Sequence, residues 1–188
     1  MSLILASSSI IRTQLLSSAG VAHEVRAPSV DEGAIKQAHV GGGLALTLAK
    51  AKAESVAGDW VIGSDSTISV DGRPYSKPSD RAEAAEHLAA FSGRTLVLES
   101  AVALAQGGRC EWSHSDTATL DVRDLSSSFI DSYLDTEWPE VAYCVGVFRI
   151  EGRGVTLFER ISGDHFTILG LPLLPLLGAL RERGLIAS

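Results

Sequence analysis

An aspartate and the apolar segment before it form the first candidate for a reactive site. Asp65 follows residues 60–63, whose sequence WVIG predicts a buried strand. Because ligand sites of α/β proteins gather at the carboxyl ends of strands, this carboxylate is placed to bind a divalent cation or to accept a proton from water. An aspartate that caps a turn is the alternative, and the residues alone leave both open.

A serine-rich loop at residues 7–9 lies between a predicted strand and a predicted helix. Backbone N–H groups at the start of the helix, the hydroxyls of Ser7 and Ser9, and Arg12 one turn further on are groups that bind phosphate oxygens. A serine N-cap with a solvent-facing arginine is the competing interpretation. The sequence has no GxxxxGK(S/T) pattern, which excludes a Walker-type phosphate loop.

Two further sets of charged residues are candidates, although their position along the chain does not decide their role. Asp31 and Glu32 follow an extended segment and are predicted to lie in a loop. Lys50 and Lys52 are two positions apart on a predicted helix, so they face different sides and at most one can face a given site. Lys77 precedes a proline, which favours an extended loop conformation. Taken singly, each is also compatible with a solvated surface charge.

Strands and helices alternate along the chain, and this alternation predicts the fold class. Apolar periodicity and turn residues predict strands at 3–6, 23–27, 60–63, 95–104, 110–122 and 155–158, an extended stretch at 67–70, and helices at 10–19, 44–57, 80–90, 126–134 and 172–183. Ser79 is expected to cap the third of these helices. Gly107 and Gly108 mark a hairpin between two long strands. The hairpin indicates an α/β protein with a mixed sheet rather than a purely parallel one.

Composition limits the classes of protein to consider. A length of 188 residues with 45% hydrophobic residues predicts a single domain, residues 1–188, with a substantial core. The net charge of −7 argues against a nucleic-acid partner or an anionic membrane surface. Cys110 and Cys144 form no CxxC pair, so neither a disulfide framework nor a structural zinc site is expected. No signal-peptide pattern opens the sequence, and its longest apolar stretch, 168–180, is too short for a membrane span. A cytoplasmic protein is therefore expected.

Taken together, these motifs resemble the Maf family of nucleoside triphosphate pyrophosphatases. The resemblance rests on these segments, in order along the chain: LASSSIIR at 5–12, VDE at 30–32, LAKAKA at 48–53, VIGSD at 61–65, KP at 77–78, EGRG at 151–154, Phe158, ISGD at 161–164 and GLP at 170–172. They extend over almost the whole chain, and several motifs in a fixed order are far more specific than any one of them.

The resemblance implies an enzyme, a hydrolase that cleaves a nucleoside triphosphate to its monophosphate and pyrophosphate with Mg²⁺, Mn²⁺ or another divalent cation. Such house-cleaning enzymes are thought to remove unwanted nucleotides before incorporation. The fold it implies is a single elongated α/β domain of Maf/ITPase-like type, with a central mixed β-sheet flanked by helices and a deep nucleotide-binding cleft. Members are often dimeric, so a homodimer is one alternative for this chain.

The same resemblance implies a role for each candidate residue. Glu32 and Asp65 would bind the metal, and Asp65 would also activate the attacking water. Lys52 and Lys77 would be catalytic, supplying with Arg12 the cationic lining that an acidic protein needs for a triphosphate. Two sets complete the site: Ser7 and Ser9 for the phosphate chain, and Ile11, Ser66 and Glu151 for the base.

The base preference follows from the last of these sets. Glu151 and the LFER segment at 157–160 resemble the branch of the family that acts on 7-methyl-GTP. A carboxylate only accepts hydrogen bonds, which suits the N1–H and N2–H donors of guanine. Ile11 departs from the pattern, because it lacks the aromatic face that would stack on a cationic methylated purine. A 7-methyl-GTP-like purine is therefore the favoured substrate.

Two other functions remain open from the sequence. A dTTP/UTP pyrophosphatase would keep the chemistry and change the base. A nucleotide-sensing cell-division regulator with little catalysis would explain the departures from the family pattern at Ile10, Ile11 and Thr13. Product analysis also separates a pyrophosphatase from a phosphatase or kinase that cuts the terminal phosphate.

Overall fold

The structure, a computed structural model, describes residues 2–187. Its strands are β1 (Leu3–Ala6), β2 (Glu24–Arg26), β3 (Trp60–Val70), β4 (Arg73–Tyr75), β5 (Thr95–Gln106), β6 (Arg109–Val122) and β7 (Phe158–Ser162). Its α-helices are α1 (Ile10–Ser18), α2 (Glu32–Ala38), α3 (Leu44–Glu54), α4 (Arg81–Phe91), α5 (Ser127–Glu137), α6 (His165–Ile168) and α7 (Leu173–Glu182). Across this described part of the chain, no helix is long and apolar enough to cross a membrane.

The strands form one mixed sheet of seven strands in the order β2-β1-β3-β5-β6-β7, with β4 paired to β3 off that path. β1 is parallel to both β2 and β3. β4 is antiparallel to β3, and β7 is antiparallel to β6. The predicted α/β class with a mixed sheet is confirmed, and so is the hairpin that joins β5 to β6.

The described residues divide into two compact units. The first comprises 2–66, 99–116 and 164–187, and the second comprises 67–98 and 117–163. The first unit has a core of large apolar side chains from β1, α1, β3, β5 and α7, including Leu5, Leu16, Ile62, Leu104 and Leu176. In the second unit α4 packs with α5, and its buried side chains include Leu88, Phe91, Leu120 and Leu134.

β3 is longer than the sequence predicts. The sequence predicts a strand at 60–63 that ends before a separate extended stretch at 67–70, and the predicted end of that strand is wrong. β1 pairs with β3 only as far as Ala6, opposite Gly63, but β4 then pairs with Ile68 to Val70. Because a second neighbour takes over, β3 continues unbroken. Asp65 therefore lies inside a strand, just past the point where its parallel neighbour ends.

The predicted loop at Asp31 and Glu32 is also wrong, because a helix, α2, begins at Glu32. Asp31 is its N-cap, and the Asp31 Oδ1 accepts a 2.9 Å hydrogen bond from the backbone N–H of Ala34. Such a side-chain bond satisfies one of the free N–H groups that every helix start exposes. The acidic pair is thus a helix start rather than an irregular loop.

Helix α4 is capped one residue later than predicted. The cap is Asp80, whose carboxylate accepts a 2.9 Å bond from the N–H of Glu83. Ser79 donates its N–H and its hydroxyl to the Glu83 carboxylate, each at 2.7 Å. Both residues thus tie the helix start to Glu83, in the manner of a capping box.

The strand predicted at 155–158 is displaced along the chain. Residues Arg153–Leu157 form a 3-10 helix, and β7 begins only at Phe158, opposite Val122. The carboxyl end of this 3-10 helix is bonded to the residue that follows β6, since Arg123 donates its N–H to the Leu157 carbonyl at 3.0 Å.

Candidate active site

Lys52 lies between two carboxylates of the first unit. Its Nζ is 2.5 Å from Asp65 Oδ1 and 2.8 Å from Glu32 Oε1. The Lys52 side chain is 9% exposed and that of Asp65 is 13% exposed, whereas that of Glu32 is 41% exposed. Such charge-assisted bonds are stronger than neutral ones where water is excluded. The structure thus brings three of the predicted catalytic residues into one cluster.

Small residues allow helix α3 to lie close enough to the sheet for this contact. A Cβ added to Gly63 in β3 would lie 2.2 Å from the Ala49 carbonyl oxygen and 2.4 Å from the Ala53 nitrogen. One face of α3 and one face of β5 supply the matching methyl groups, which are Ala45, Ala49, Ala53, Ala101, Ala103 and Ala105. This close approach sets the position of Lys52, one residue before Ala53, relative to β3.

The other lysine of the helix does not join the cluster. Lys50 is half-buried and lies near Cys110 instead. Burial raises the pKa of the Cys110 thiol, and the positive charge of Lys50 opposes that rise. Because a helix turns about 100° per residue, a separation of two positions places Lys50 and Lys52 on different sides. The expectation that at most one of them faces a given site agrees with these positions.

The serines at 7–9 hold the start of helix α1. The Ser9 hydroxyl accepts a 3.5 Å bond from the N–H of Arg12, and the Ser9 N–H donates a 3.1 Å bond to the Ser7 hydroxyl. Ser7 is buried, with 4% of its surface exposed. The capping interpretation of this loop therefore describes Ser9. The buried Ser7 hydroxyl orders the loop by accepting the bond from the Ser9 N–H.

Arg12 is not solvent-facing, so that part of the competing interpretation is wrong. Its Nε donates to the Gly170 carbonyl at 2.9 Å, its Nη1 to the Ser64 carbonyl at 2.9 Å, and its Nη2 to the Ser66 hydroxyl at 3.2 Å. Burial lowers the pKa of the Arg12 guanidinium, while the nearby carboxylates of Asp65 and Glu32 oppose that shift. A guanidinium held this way fastens β3 to the turn at Gly170.

The remaining predicted residues are placed as follows. Ile11 is half-buried on α1 and Ser66 is half-buried on β3, both in the first unit. Lys77 and Glu151 belong to the second unit, where each is exposed.

Sequence reasoning missed several residues that complete this region. Ser100 is fully buried on β5 and donates its hydroxyl to the Thr167 carbonyl at 2.8 Å. Ser64 is fully buried too and donates to the Gly170 carbonyl at 3.0 Å. The available signal was a serine next to an apolar run, which is AVALA after Ser100 and WVIG before Ser64, because a polar group buried among such residues needs a partner.

A divalent cation would find a suitable but incomplete set of ligands here. In residues 2–187 no group of three or more histidine, cysteine, aspartate or glutamate side chains could enclose a metal. Glu32 and Asp65 nevertheless converge on one cationic atom, Lys52 Nζ. Two carboxylates suit Mg²⁺, which commonly takes one or two of them and completes its shell with water and substrate phosphates.

The fold and this cluster together define a class of protein. It is an α/β protein with a mixed sheet, in which a lysine joins two carboxylates near the point where the pairing of β1 with β3 ends. The chain belongs to the Maf-like protein family, which it matches over residues 2–183. The resemblance inferred from the motifs is thereby confirmed.

Individual relatives match over nearly their full length. The 7-methyl-GTP pyrophosphatase of Rhizobium meliloti (strain 1021) is 49% identical over 98% of this chain and 97% of its own. A nucleoside triphosphate pyrophosphatase of Nitrobacter hamburgensis (strain DSM 10229 / NCIMB 13809 / X14) is 45% identical over 98% and 95%. The 7-methyl-GTP pyrophosphatase of Rhizobium etli (strain ATCC 51251 / DSM 11541 / JCM 21823 / NBRC 15573 / CFN 42) is 46% identical over 98% and 97%.

Proposed function

We propose that this chain hydrolyses a nucleoside triphosphate to its monophosphate and pyrophosphate, and that it does so in the cytoplasm. The observation that carries the proposal is Lys52 held between the Glu32 and Asp65 carboxylates. The names of the relatives agree with the hydrolase class that the motifs predict. Water attack on a phosphoanhydride needs an acceptor for a proton and cations for the phosphate charge, and this cluster contains both.

Asp65 is the residue we assign to the attacking water. Its carboxylate is only 13% exposed and bonds Lys52 through Oδ1. A carboxylate fixed by one oxygen keeps lone pairs on the other for the proton of a water molecule. Lys52, and Lys77 of the second unit, would neutralise charge on the phosphates. Phosphoryl transfer requires little covalent chemistry from the protein, so positioning of the substrate and neutralisation of its charge are the main contributions of the residues.

Glu32 and Asp65 are the residues that would hold Mg²⁺ or Mn²⁺. When bound, the cation supplies positive charge to the phosphate oxygens, in the way that metal ions stabilise phosphoryl transition states. Lys52 keeps the two carboxylates together, since their nearest oxygens both bond its ammonium.

The substrate we favour is a purine nucleotide similar to 7-methyl-GTP. The support is Glu151, which is exposed and offers only acceptors to the donor edge of guanine. Two relatives of similar length are named for 7-methyl-GTP. The serines at positions 7 and 9 would hold the phosphate chain, and Ile11 would lie at the base.

Pyrophosphate release from purified protein tests this function directly. The panel contains 7-methyl-GTP, GTP, dTTP, UTP, CTP and ATP, each with Mg²⁺ or Mn²⁺, and Asp65→Asn serves as the control. Asp65→Asn keeps the shape of the side chain and one oxygen for Lys52, and it removes the charge. We expect pyrophosphate from 7-methyl-GTP at the highest kcat/KM, with a loss of about 10²–10⁴-fold in the variant, as for a missing general base.

The alternative functions predict different outcomes of this assay. Preference for dTTP and UTP would keep the enzyme class and contradict the assignment of Glu151. Orthophosphate as the first product would indicate cleavage of the terminal phosphate instead. No release from wild type or variant, together with thermal stabilisation by a nucleotide, would favour the regulator. Light scattering on the same preparation decides between a monomer and the homodimer that the family suggests.

A further inference from the structure

A chain of hydrogen bonds, each donated in the same direction, leads from Arg12 into the interior of the first unit. The Ser100 hydroxyl donates its single hydrogen to the Thr167 carbonyl at 2.8 Å. In the 2.8 Å contact between Ser66 Oγ and Ser100 Oγ, Ser66 must therefore be the donor. With its hydrogen so used, Ser66 Oγ accepts from Arg12 Nη2 at 3.2 Å. The order of donation is thus Arg12 to Ser66 to Ser100 to Thr167.

A competing acceptor for the Ser66 hydroxyl is less favourable. The Gly170 carbonyl is 3.5 Å from Ser66 Oγ, against 2.8 Å for Ser100. That carbonyl already accepts from Arg12 Nε and from the Ser64 hydroxyl. Ser100 is consequently the partner that orients Ser66.

Arg12 forms hydrogen bonds with both residues that flank Asp65 in the chain. Its Nη1 bonds the carbonyl of Ser64 and its Nη2 bonds the hydroxyl of Ser66. Side chains alternate across a strand, so those of residues 64 and 66 share one face of β3 while Asp65 points to the other, toward Lys52. The guanidinium thus fixes, from one face, the backbone that aims the carboxylate on the opposite face.

We propose that Ser66 and Ser100 are positioning residues, which orient Arg12 and through it set where the Asp65 carboxylate stands. The proposal rests on the proposed function and deepens it. It replaces the expectation that Ser66 contacts the base, because the Ser66 hydroxyl is engaged on both its donor and acceptor side within the protein. Ser100 has no exposed surface, so its effect on turnover cannot come from touching a nucleotide.

The test compares Ser66→Ala, Ser100→Ala and the double variant with Ser92→Ala as a matched control. Ser92 Oγ accepts a 2.7 Å bond from the Leu125 N–H in the second unit, so its loss also leaves one backbone group without a partner. Each variant is measured for kcat, KM, substrate ranking and melting temperature. Ser66→Thr, which keeps the hydroxyl, is the conservative variant.

We expect Ser100→Ala to lower kcat by roughly tenfold, the effect of one hydrogen bond of about 1.4 kcal/mol. KM and the nucleotide ranking stay the same. The double variant is no worse than the worse single variant, since both act through Arg12. Ser66→Thr retains most of kcat, and Ser92→Ala loses stability without losing kcat.

Two results would overturn the proposal. In the first, Ser66→Ala changes the nucleotide ranking while Ser100→Ala leaves kcat intact, which would mean that Ser66 contacts the base. In the second, the two variants Ser100→Ala and Ser92→Ala lower kcat and melting temperature equally, which would mean a structural role only.

A second readout separates this proposal from the proposed function. If the wild type releases no pyrophosphate from any nucleotide, the proposed function fails. The NMR resonance of the Arg12 Nε–H, which donates to the Gly170 carbonyl, then still reports on the orientation of the guanidinium. A resonance displaced in Ser100→Ala and unchanged in Ser92→Ala supports positioning, whereas the same resonance in both variants contradicts it.

Discussion

Lys52 and Asp65, thirteen positions apart in the chain, meet in a 2.5 Å hydrogen bond that joins helix α3 to strand β3. The same ammonium bonds Glu32 at the start of α2. One cation therefore holds together the carboxylates contributed by two different elements. Removing that cation leaves two negative groups facing each other with little water around Asp65, which is costly.

Lys52→Met should abolish most activity while keeping the length of the side chain. We expect kcat/KM to fall by roughly 10- to 100-fold, the worth of a charged hydrogen bond, and the free energy of unfolding to fall by about 2 kcal/mol. This is less than a fully buried pair loses, because Glu32 is partly exposed. Lys50→Met, the same change two positions earlier on the same helix, is the control. Equal losses in both variants would contradict a role specific to Lys52.

Gly63→Ala should push α3 away from β3. The added methyl group would lie 2.2 Å from the Ala49 carbonyl oxygen, and a backbone atom cannot move aside as a side chain can. We expect chemical denaturation to show a loss of about 1–3 kcal/mol, as for an overpacked core, together with lower turnover. Gly178→Ala in α7 has open space around it and should gain about 0.5–1 kcal/mol. A neutral Gly63→Ala would show that the helix can shift without harm.

Much of this architecture could be predicted from residue patterns, and the exceptions have physical causes. Strand β1 and the β5–β6 hairpin carry clear apolar and glycine signals. Helix α2 has no buried residue, so it shows no apolar stripe to detect. β3 continues past Gly63 because β4 pairs with it, and such pairing depends on residues elsewhere in the chain.

The candidate site was also predicted only in part from the sequence. The family motifs supplied Glu32, Lys52 and Asp65, and the structure brings these three together. No pattern assigned Ser100 a part, because a lone serine in a strand reveals its partner only when the fold is known. Arg12 was expected at the phosphates, and no pattern in the sequence indicated the three hydrogen bonds that it donates to oxygens of the protein.

Lys77→Ala should weaken both binding and turnover, because it removes a proposed countercharge for the triphosphate. We expect KM to rise and kcat to fall, each by roughly tenfold, the value of one charge-assisted contact. Arg109→Ala removes one exposed positive charge from the β5–β6 hairpin and so matches the change in net charge. Steady-state kinetics at two salt concentrations distinguishes the two, and unchanged kinetics for Lys77→Ala would make it an ordinary surface lysine.

Glu151→Gln should shift the preference away from guanine bases. Glutamine presents a donor as well as an acceptor, so it loses part of its fit to the two guanine donors and gains fit to uracil or thymine. We expect the kcat/KM ratio of 7-methyl-GTP to UTP to fall by about 10-fold or more, as for a mismatched hydrogen-bonding edge. Glu86→Gln, the same change at an exposed glutamate on α4, should leave the ratio unchanged. An unaltered ranking in Glu151→Gln would show that this position does not contact the base.

His87 should make the stability of the protein depend on pH. This residue of α4 packs against Phe91 of the same helix and Tyr75 of β4, and its Nδ1 is buried with no hydrogen-bond partner. Burial lowers the pKa of His87 below its usual 6.5; the carboxylates of Glu83 and Glu86 oppose the shift and Arg73 adds to it. The folded protein therefore favours the neutral ring more than the unfolded chain does.

The sign of the effect follows from that shift. Above about pH 6.5 the ring is neutral in both states, and its contribution to stability is fully present. As the pH falls through the lowered pKa, the unfolded chain binds the proton first and the contribution is lost. In His87→Phe this loss disappears, so the difference in unfolding free energy between variant and wild type should grow from pH 7 to pH 5. Urea titrations of both proteins at these pH values measure it, and parallel curves would mean that His87 titrates alike in both states.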